Sequence, residues 1–259
     1  MNVTPLPRRR WWLVLAGLSL YLLFLLMQMP AAWLAARIPA DNPMQLRAVS
    51  GTAWHGTARA ATLNADKVRL QLGGLVWRWL PGEILHGRLG FAFELGQDAD
   101  KLKGALLSGR SGHSLKNVRG GLDAAVLGIA SRPFGLLEPQ GRLAIQIDDL
   151  YLGRNRIHGG ARVDWRHARS GLMDAPLGDY RMDMKAASDG RVARITLYTL
   201  QGELAISGDG EFQPGKGLQG ALRLTPPQDE ARRKRYSAIL SLLGRPDAGG
   251  TWTLALTPR

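Results

Sequence analysis

The chain contains no cysteine. Disulfide staples, thiolate metal sites and thiol nucleophiles are therefore excluded, and a body facing an oxidising compartment has to be held by its core alone. Acidic residues are scarce as well, with 21 Asp and Glu against 34 Lys and Arg. The signatures of common hydrolytic chemistry are missing too. There is no HxH or HExxH pair, and no GxSxG elbow. His55, His86, His113, His158 and His167 are dispersed along the chain, and the adjacent Asp148 and Asp149 would point to opposite faces of a strand, where they could not share a substrate. The segment GEFQPGKG, Gly210–Gly217, has phosphate-loop spacing up to Lys216 but carries Gly217 where a Ser or Thr should hold magnesium. It reads as a hairpin turn. These absences point away from an enzyme, and no cofactor, metal or small-molecule substrate is expected.

What is present begins with an uncharged run. From Trp11 to Met29 no residue is charged, and a helix rising about 1.5 Å per residue over such a run just crosses a ~30 Å hydrocarbon core. Arg8, Arg9 and Arg10 precede it, so the positive-inside rule places residues 1–10 in the cytoplasm and the body on the far side, with 11–29 as a single-pass inner-membrane anchor. Trp11, Trp12 and Trp33 suit the interfacial belts at its two ends. A cleaved signal peptide is the alternative, since MPAAWLA offers small residues, but the apolar run exceeds the ~7–15 residues usual for such segments. Past the first ten residues 31 basic side chains face 21 acidic ones, a net charge of about +10. That excess suits anionic lipid or an acidic partner; nucleic acid is not expected, because the charge is scattered and the body lies outside the cytoplasm.

Residues 30–46 carry Pro30, Pro39 and Pro43 and read as a short helical extension followed by a connector. From 47 to 259, alternation dominates. KVRLQL, GRLGFAFEL, GRLAIQID, GARVDW, DYRMDMKA, RITLYTL, GELAISG, GALRLT and TWTLAL each place apolar residues at every second position between Gly, Asp, Asn or Pro punctuation. The 32 Gly and 14 Pro favour strands and turns over long helices. The expected fold is mainly β: a curved antiparallel sheet with one buried face, shaped as a groove, a sandwich or a partly closed barrel. One helix is expected near the C-terminus in TPPQDEARRKRYSAILSLLGRP, with Thr225 as N-cap, Gln228 placed for a capping box, Tyr236, Ile239, Leu240 and Leu243 at helical spacing, and Gly244 as the stop. Its Arg232–Arg235 cluster reads as a solvated face.

The stretch VSGTAWHGTA, Val49–Ala58, follows the connector. Read as a strand entering a turn, it puts Val49, Gly51, Ala53 and His55 on one face and Ser50, Thr52 and Trp54 on the other. Trp54 is then a buried fastening of the first strand, and His55 an exposed or hydrogen-bonded turn residue.

An Arg-flanked N-terminal anchor, then VSGTAWHGTA, then LGGLVWRWLPGEILHGRLGFAFEL resembles the type II secretion system protein N family. Ser50, Gly51, Thr52, Trp54, His55 and Gly56 match that family's SGTxW(N/H)G segment, and Trp77, Arg78 and Trp79 match its WRL or WRW segment. The resemblance implies an accessory, non-enzymatic component of the machinery exporting folded proteins, with other secretion components and inner-membrane lipids as partners. Trp54, His55, Trp77 and Trp79 are its structural or contact candidates. A membrane-tethered sheet with one apolar face also resembles groove-forming envelope proteins of the AsmA type. That leaves lipid handling along Phe91, Phe93, Leu143 and Ile145 as the alternative.

Overall fold

Thirteen strands pair strictly in chain order in one antiparallel sheet, β1 only with β2 and β13 only with β12. They are β1 (Met44–Gly51), β2 (His55–Ala65), β3 (Val68–Trp79), β4 (Arg88–Gly96), β5 (Leu102–Gly109), β6 (Gly112–Asp123), β7 (Pro139–Gly153), β8 (Ile157–Ser170), β9 (Gly178–Ala186), β10 (Ala193–Gln201), β11 (Ala205–Gln213), β12 (Gly217–Thr225) and β13 (Trp252–Leu256). This is a computed structural model, and it describes residues 11–39, 42–65, 68–97, 100–130, 135, 137–242, 245–247 and 249–256. Arg8, Arg9, Arg10, Leu243 and Gly244 lie outside the described residues. All thirteen strands belong to one sheet, which does not close on itself.

Register separates the two faces of the sheet. Leu122, Leu143, Trp165 and Tyr180 stand opposite one another across β6 to β9, and Ile145, Val163, Met182 and Leu197 form the next row. Paired residues share a face, so each row adds to one apolar surface. The main core lies there: Leu143, Trp165, Tyr180, Leu204 and Leu224 pack with Tyr236, Ile239 and Leu240 from the C-terminal helices. A smaller core gathers Leu102, Val118 and Ile147, with Phe93, Leu95 and Leu115 against it. Tyr180 supports the larger one with its hydroxyl, 2.7 Å from Leu177 O and 3.0 Å from Leu204 O. Burial pushes that phenol well above its ordinary pKa, with the neighbouring Tyr236 and Asp179 adding to the shift.

The helical expectations need correction at both ends. The apolar run forms α1 (Trp11–Met27), of 17 residues, which ends short of Met29. Gln28 forms a turn, and Pro30 enters a bridge with Thr52. Among the described residues no helix is long and apolar enough to cross a membrane. A short α2 (Ala31–Ala35) follows, as expected. β1 then begins at Met44, inside the expected connector. A five-residue α3 (Val126–Ala130) links β6 to β7. The single C-terminal helix is instead two, α4 (Glu230–Arg235) and α5 (Ser237–Leu242). Thr225 is not the N-cap, because it stays paired to Ala205 at the end of β12. Asp229 takes that role, its carboxylate accepting from Arg232 N at 2.9 Å.

The opposite face of the sheet is charged. Asp164 and Arg181 are directly opposed on β8 and β9 and meet in a two-point pair at 2.6 and 2.8 Å; the neighbouring Arg162 and Asp183 pair at 2.7 Å. Asp164 is only 5% exposed, and the Arg181 hydrogen bond holds its carboxyl below the ordinary aspartate range against the opposing effect of burial. A depressed folded-state pKa means that the ionised pair stabilises the fold fully above the ordinary aspartate pKa and is lost as pH falls through the folded-state value. Asp164→Asn is expected to lower stability at neutral pH by about 1–3 kcal/mol. It should also flatten the acid limb of a plot of urea midpoint against pH relative to the parent chain.

Candidate functional site: a tryptophan junction

Three residues, Thr52, Ala53 and Trp54, turn β1 into β2, so VSGTAWHG is not a continuous strand and the expected alternation of faces stops at Gly51. The hairpin is closed by backbone: Thr52 N donates to His55 O at 2.8 Å, and His55 N donates to Thr52 Oγ1 at 3.1 Å. Gly51 is required here. Its φ is +89°, and a Cβ would stand 2.5 Å from His55 O.

This turn receives the end of α1. A helix leaves its last carbonyls without intrahelical partners. Trp54 Nε1 donates to Leu26 O at 2.8 Å, and Ala53 N donates to Met29 O at 2.8 Å. β3 then locks the turn from the other side. Trp77 Nε1 donates to Ala53 O at 3.1 Å, and Trp79 N donates to Trp54 O at 2.6 Å. The Trp54 and Trp79 rings lie 4.8 Å apart at 48°, a tilted aromatic contact. Gly56 sits opposite Trp77 in the strand register, and any Cβ there would collide with the Trp77 indole.

The two segments that carry the family resemblance therefore converge in space. Trp54, Trp77 and Trp79 meet at the helix end, each half-buried, while His55 is exposed and lies across from the exposed Arg78. His55 contributes its backbone to the turn. The sequence reading missed the partner of Trp54: it expected the sheet and did not include the carbonyls of Leu26 and Met29. The signal available for it was the Pro30 stop, which puts a helix end needing donors close to the first hairpin.

The remaining candidates stay apart. His86 closes the 3-10 turn Pro81–His86, His113 lies in β6, and His158 stacks on Tyr151 with ring centroids 6.0 Å apart. Among the described residues no group of three or more His, Cys, Asp or Glu is placed to hold a metal ion. Asp148 pairs with Arg119 at 3.0 Å and Asp149 with Lys116 at 4.0 Å, with Lys116 half-buried and the other three exposed. Pro214–Lys216 turn β11 into β12, as the hairpin reading of Gly210–Gly217 expects.

A family model described as type II secretion system (T2SS), protein N matches residues 42–255. No curated protein and no solved structure matches the chain.

Gly56→Ala is expected to destabilise the body by about 1–3 kcal/mol through overpacking against Trp77. Trp54→Phe keeps a ring but loses the donor to Leu26, at about 0.5–1.5 kcal/mol. Urea unfolding followed by circular dichroism ranks the two. Limited proteolysis should cut the Trp54→Phe chain faster between α1 and β1.

Proposed function

The chain belongs to the type II secretion system protein N family, and from that membership we propose a tethered docking module of the inner membrane, with residues 1–10 cytoplasmic and the sheet in the periplasm. The family is an accessory component of secretion and not a known enzyme family. The finer reading is carried by one observation: the sheet is fastened by the tryptophan junction to α1, a helix whose described side chains are all exposed and apolar apart from Ser19 and Tyr21. Such a helix has no use for water. At 17 residues it is about 26 Å long, and local thinning of a ~30 Å core accommodates a short span at modest cost.

Docking on other secretion components uses the free side of β13. Among the described residues no strand pairs with that edge, which leaves it open to strand addition. The apolar face speaks for docking over lipid handling. Leu143 is 3% exposed beneath the C-terminal helices, and Phe93 and Ile145 pack against the cores. Three of the four residues named for an open trough are thus engaged inside the protein.

A photoreactive residue at Thr253, exposed on β13, is expected to capture a secretion-system component in cells. Recovery of none across repeated trials at Thr253 and Ala255 would remove the docking role. Digestion of the body by protease in intact spheroplasts is expected as well; protection there would remove the topology.

A further inference from the structure

We propose that the rim of the sheet nearest α1 rests on an anionic lipid leaflet, with Ile84 and Leu85 dipped into its interface. The inference rests on α1 being a membrane anchor. Its geometry comes from the meander: because strands alternate in direction, every turn from an odd-numbered strand to the next even one lies on the same rim. The first of these turns is the Thr52–Trp54 segment bonded to α1. The others are 80–87, 110–111, 154–156, 187–192 and 214–216.

Two properties of this rim match a lipid surface. The first is apolar. The 3-10 turn Pro81–His86 begins two residues after Trp79, which is itself in contact with Trp54, and it presents Leu85 at 89% and Ile84 at 51% exposure. Leu85 is barer than any large hydrophobic residue of α1, the barest of which, Leu20, is 69% exposed. An aliphatic tip so bare gains nothing from water, and beside a membrane helix it can enter the boundary between headgroups and acyl chains. The second is charge. Arg110, Arg154, Arg156 and Lys216 are exposed on the same rim and form no ion pair with a described residue. The one acidic residue of the 3-10 turn, Glu83, is already paired to Arg88 at 2.7 Å. Asp189, exposed on the same rim, accepts from the backbone N–H of the exposed Arg191, and the opposite rim mixes carboxylates such as Asp174 and Glu203 with the Arg232–Arg235 cluster. Basic groups close to an anionic leaflet are attracted within about a Debye length of it.

The absence of native cysteine makes the test direct, since Leu85→Cys, Leu18→Cys and Leu200→Cys each create a unique labelling site. Leu18 lies in α1, and Leu200 is exposed near the end of β10 remote from this rim. The full chain, labelled with an environment-sensitive fluorophore, is reconstituted into phosphatidylcholine vesicles with or without phosphatidylglycerol and quenched with nitroxide-bearing lipid. Retained strand circular dichroism certifies each variant. With phosphatidylglycerol, quenching at 85 should exceed that at 200 by roughly twofold, as a group seated ~5–10 Å into the boundary would show. The excess should shrink without the anionic lipid and in the combined Arg110→Gln, Arg154→Gln, Arg156→Gln, Lys216→Gln chain. Equal quenching at 85 and 200, with 18 strongly quenched, overturns the inference and leaves the anchor standing. A label at 85 that is shielded from water yet insensitive to the nitroxide lipid also overturns it, because the tip is then covered by protein. An unquenched label at 18 removes the anchor reading itself, and this inference with it.

Discussion

Everything in the body follows from strand pairing with chain neighbours alone. Each of the thirteen strands finds its partner one turn away, so the backbone hydrogen bonds of the sheet are made locally and no crossover has to be built. The price is sensitivity to register. A slip of one residue in β8 would turn Trp165 out of the main core and drive Arg166 and Asp164 into it, so the apolar row and the Asp164–Arg181 pair select the same alignment. Apolar burial on one face and charge pairing on the other are consistent constraints. That agreement lets a meander of this length settle on one register.

From the same topology come two distinct rims. At one, the chain arrives from α1, and the tryptophan junction adds the Trp54 indole N–H to Leu26 O, which also accepts from Met29 N at 3.3 Å. At the other, α3 and the C-terminal helices are attached, and Tyr236, Ile239 and Leu240 close the larger core. The halves of the sheet are accordingly unequal. The C-terminal half has a deep core capped by helices, whereas the smaller core nearer the N-terminal half has, among the described residues, three buried side chains, Leu102, Val118 and Ile147. The N-terminal strands make up part of that deficit through hydrogen-bonded indoles at their end of the sheet.

Much of the sheet was legible because alternation survives wherever one face is buried and the other wet. It failed where a second layer or a bulge intervenes. β5 reads as apolar on both sides because Leu107, 2% exposed, is packed against by Glu83 and Gly90 on the face away from the main core. β6 hides its period behind Asn117, whose φ of 50° marks an irregular residue between the pairs Lys116–Asp149 and Val118–Ile147. β8 shifts register at His167 for the same reason, with φ 49°. At the junction, Trp54 was expected to be buried against the sheet, whereas it is half-buried with its indole N–H on Leu26 O. An indole N–H bonded to a carbonyl 28 positions earlier depends on where two elements end, and alternation within either element says nothing about that. The division of the C-terminal helix was hidden similarly: the spacing of Tyr236, Ile239 and Leu240 is helical, but Asp229 and not Thr225 starts the turn.

The two edges of the sheet differ in a way that bears on assembly. An open strand edge is a template for pairing, and proteins that are not to aggregate must block it. β1 is blocked: α2 packs beside it with Ala31 buried, and its end is bridged by Pro30, which has no N–H to offer a further strand. β13 has no such guard among the described residues, and its sequence, WTLAL, carries no charge. It is kept short instead, pairing with only Gly220–Leu224 of the longer β12. Brevity limits non-specific pairing while leaving room for a partner strand that brings its own side-chain contacts. The basic α4, with Arg232 reaching Glu203 at 3.6 Å, lies in the segment leading into this edge. A sheet tied down at its first strand and open at its last has one direction in which to extend, away from the strand fastened to α1.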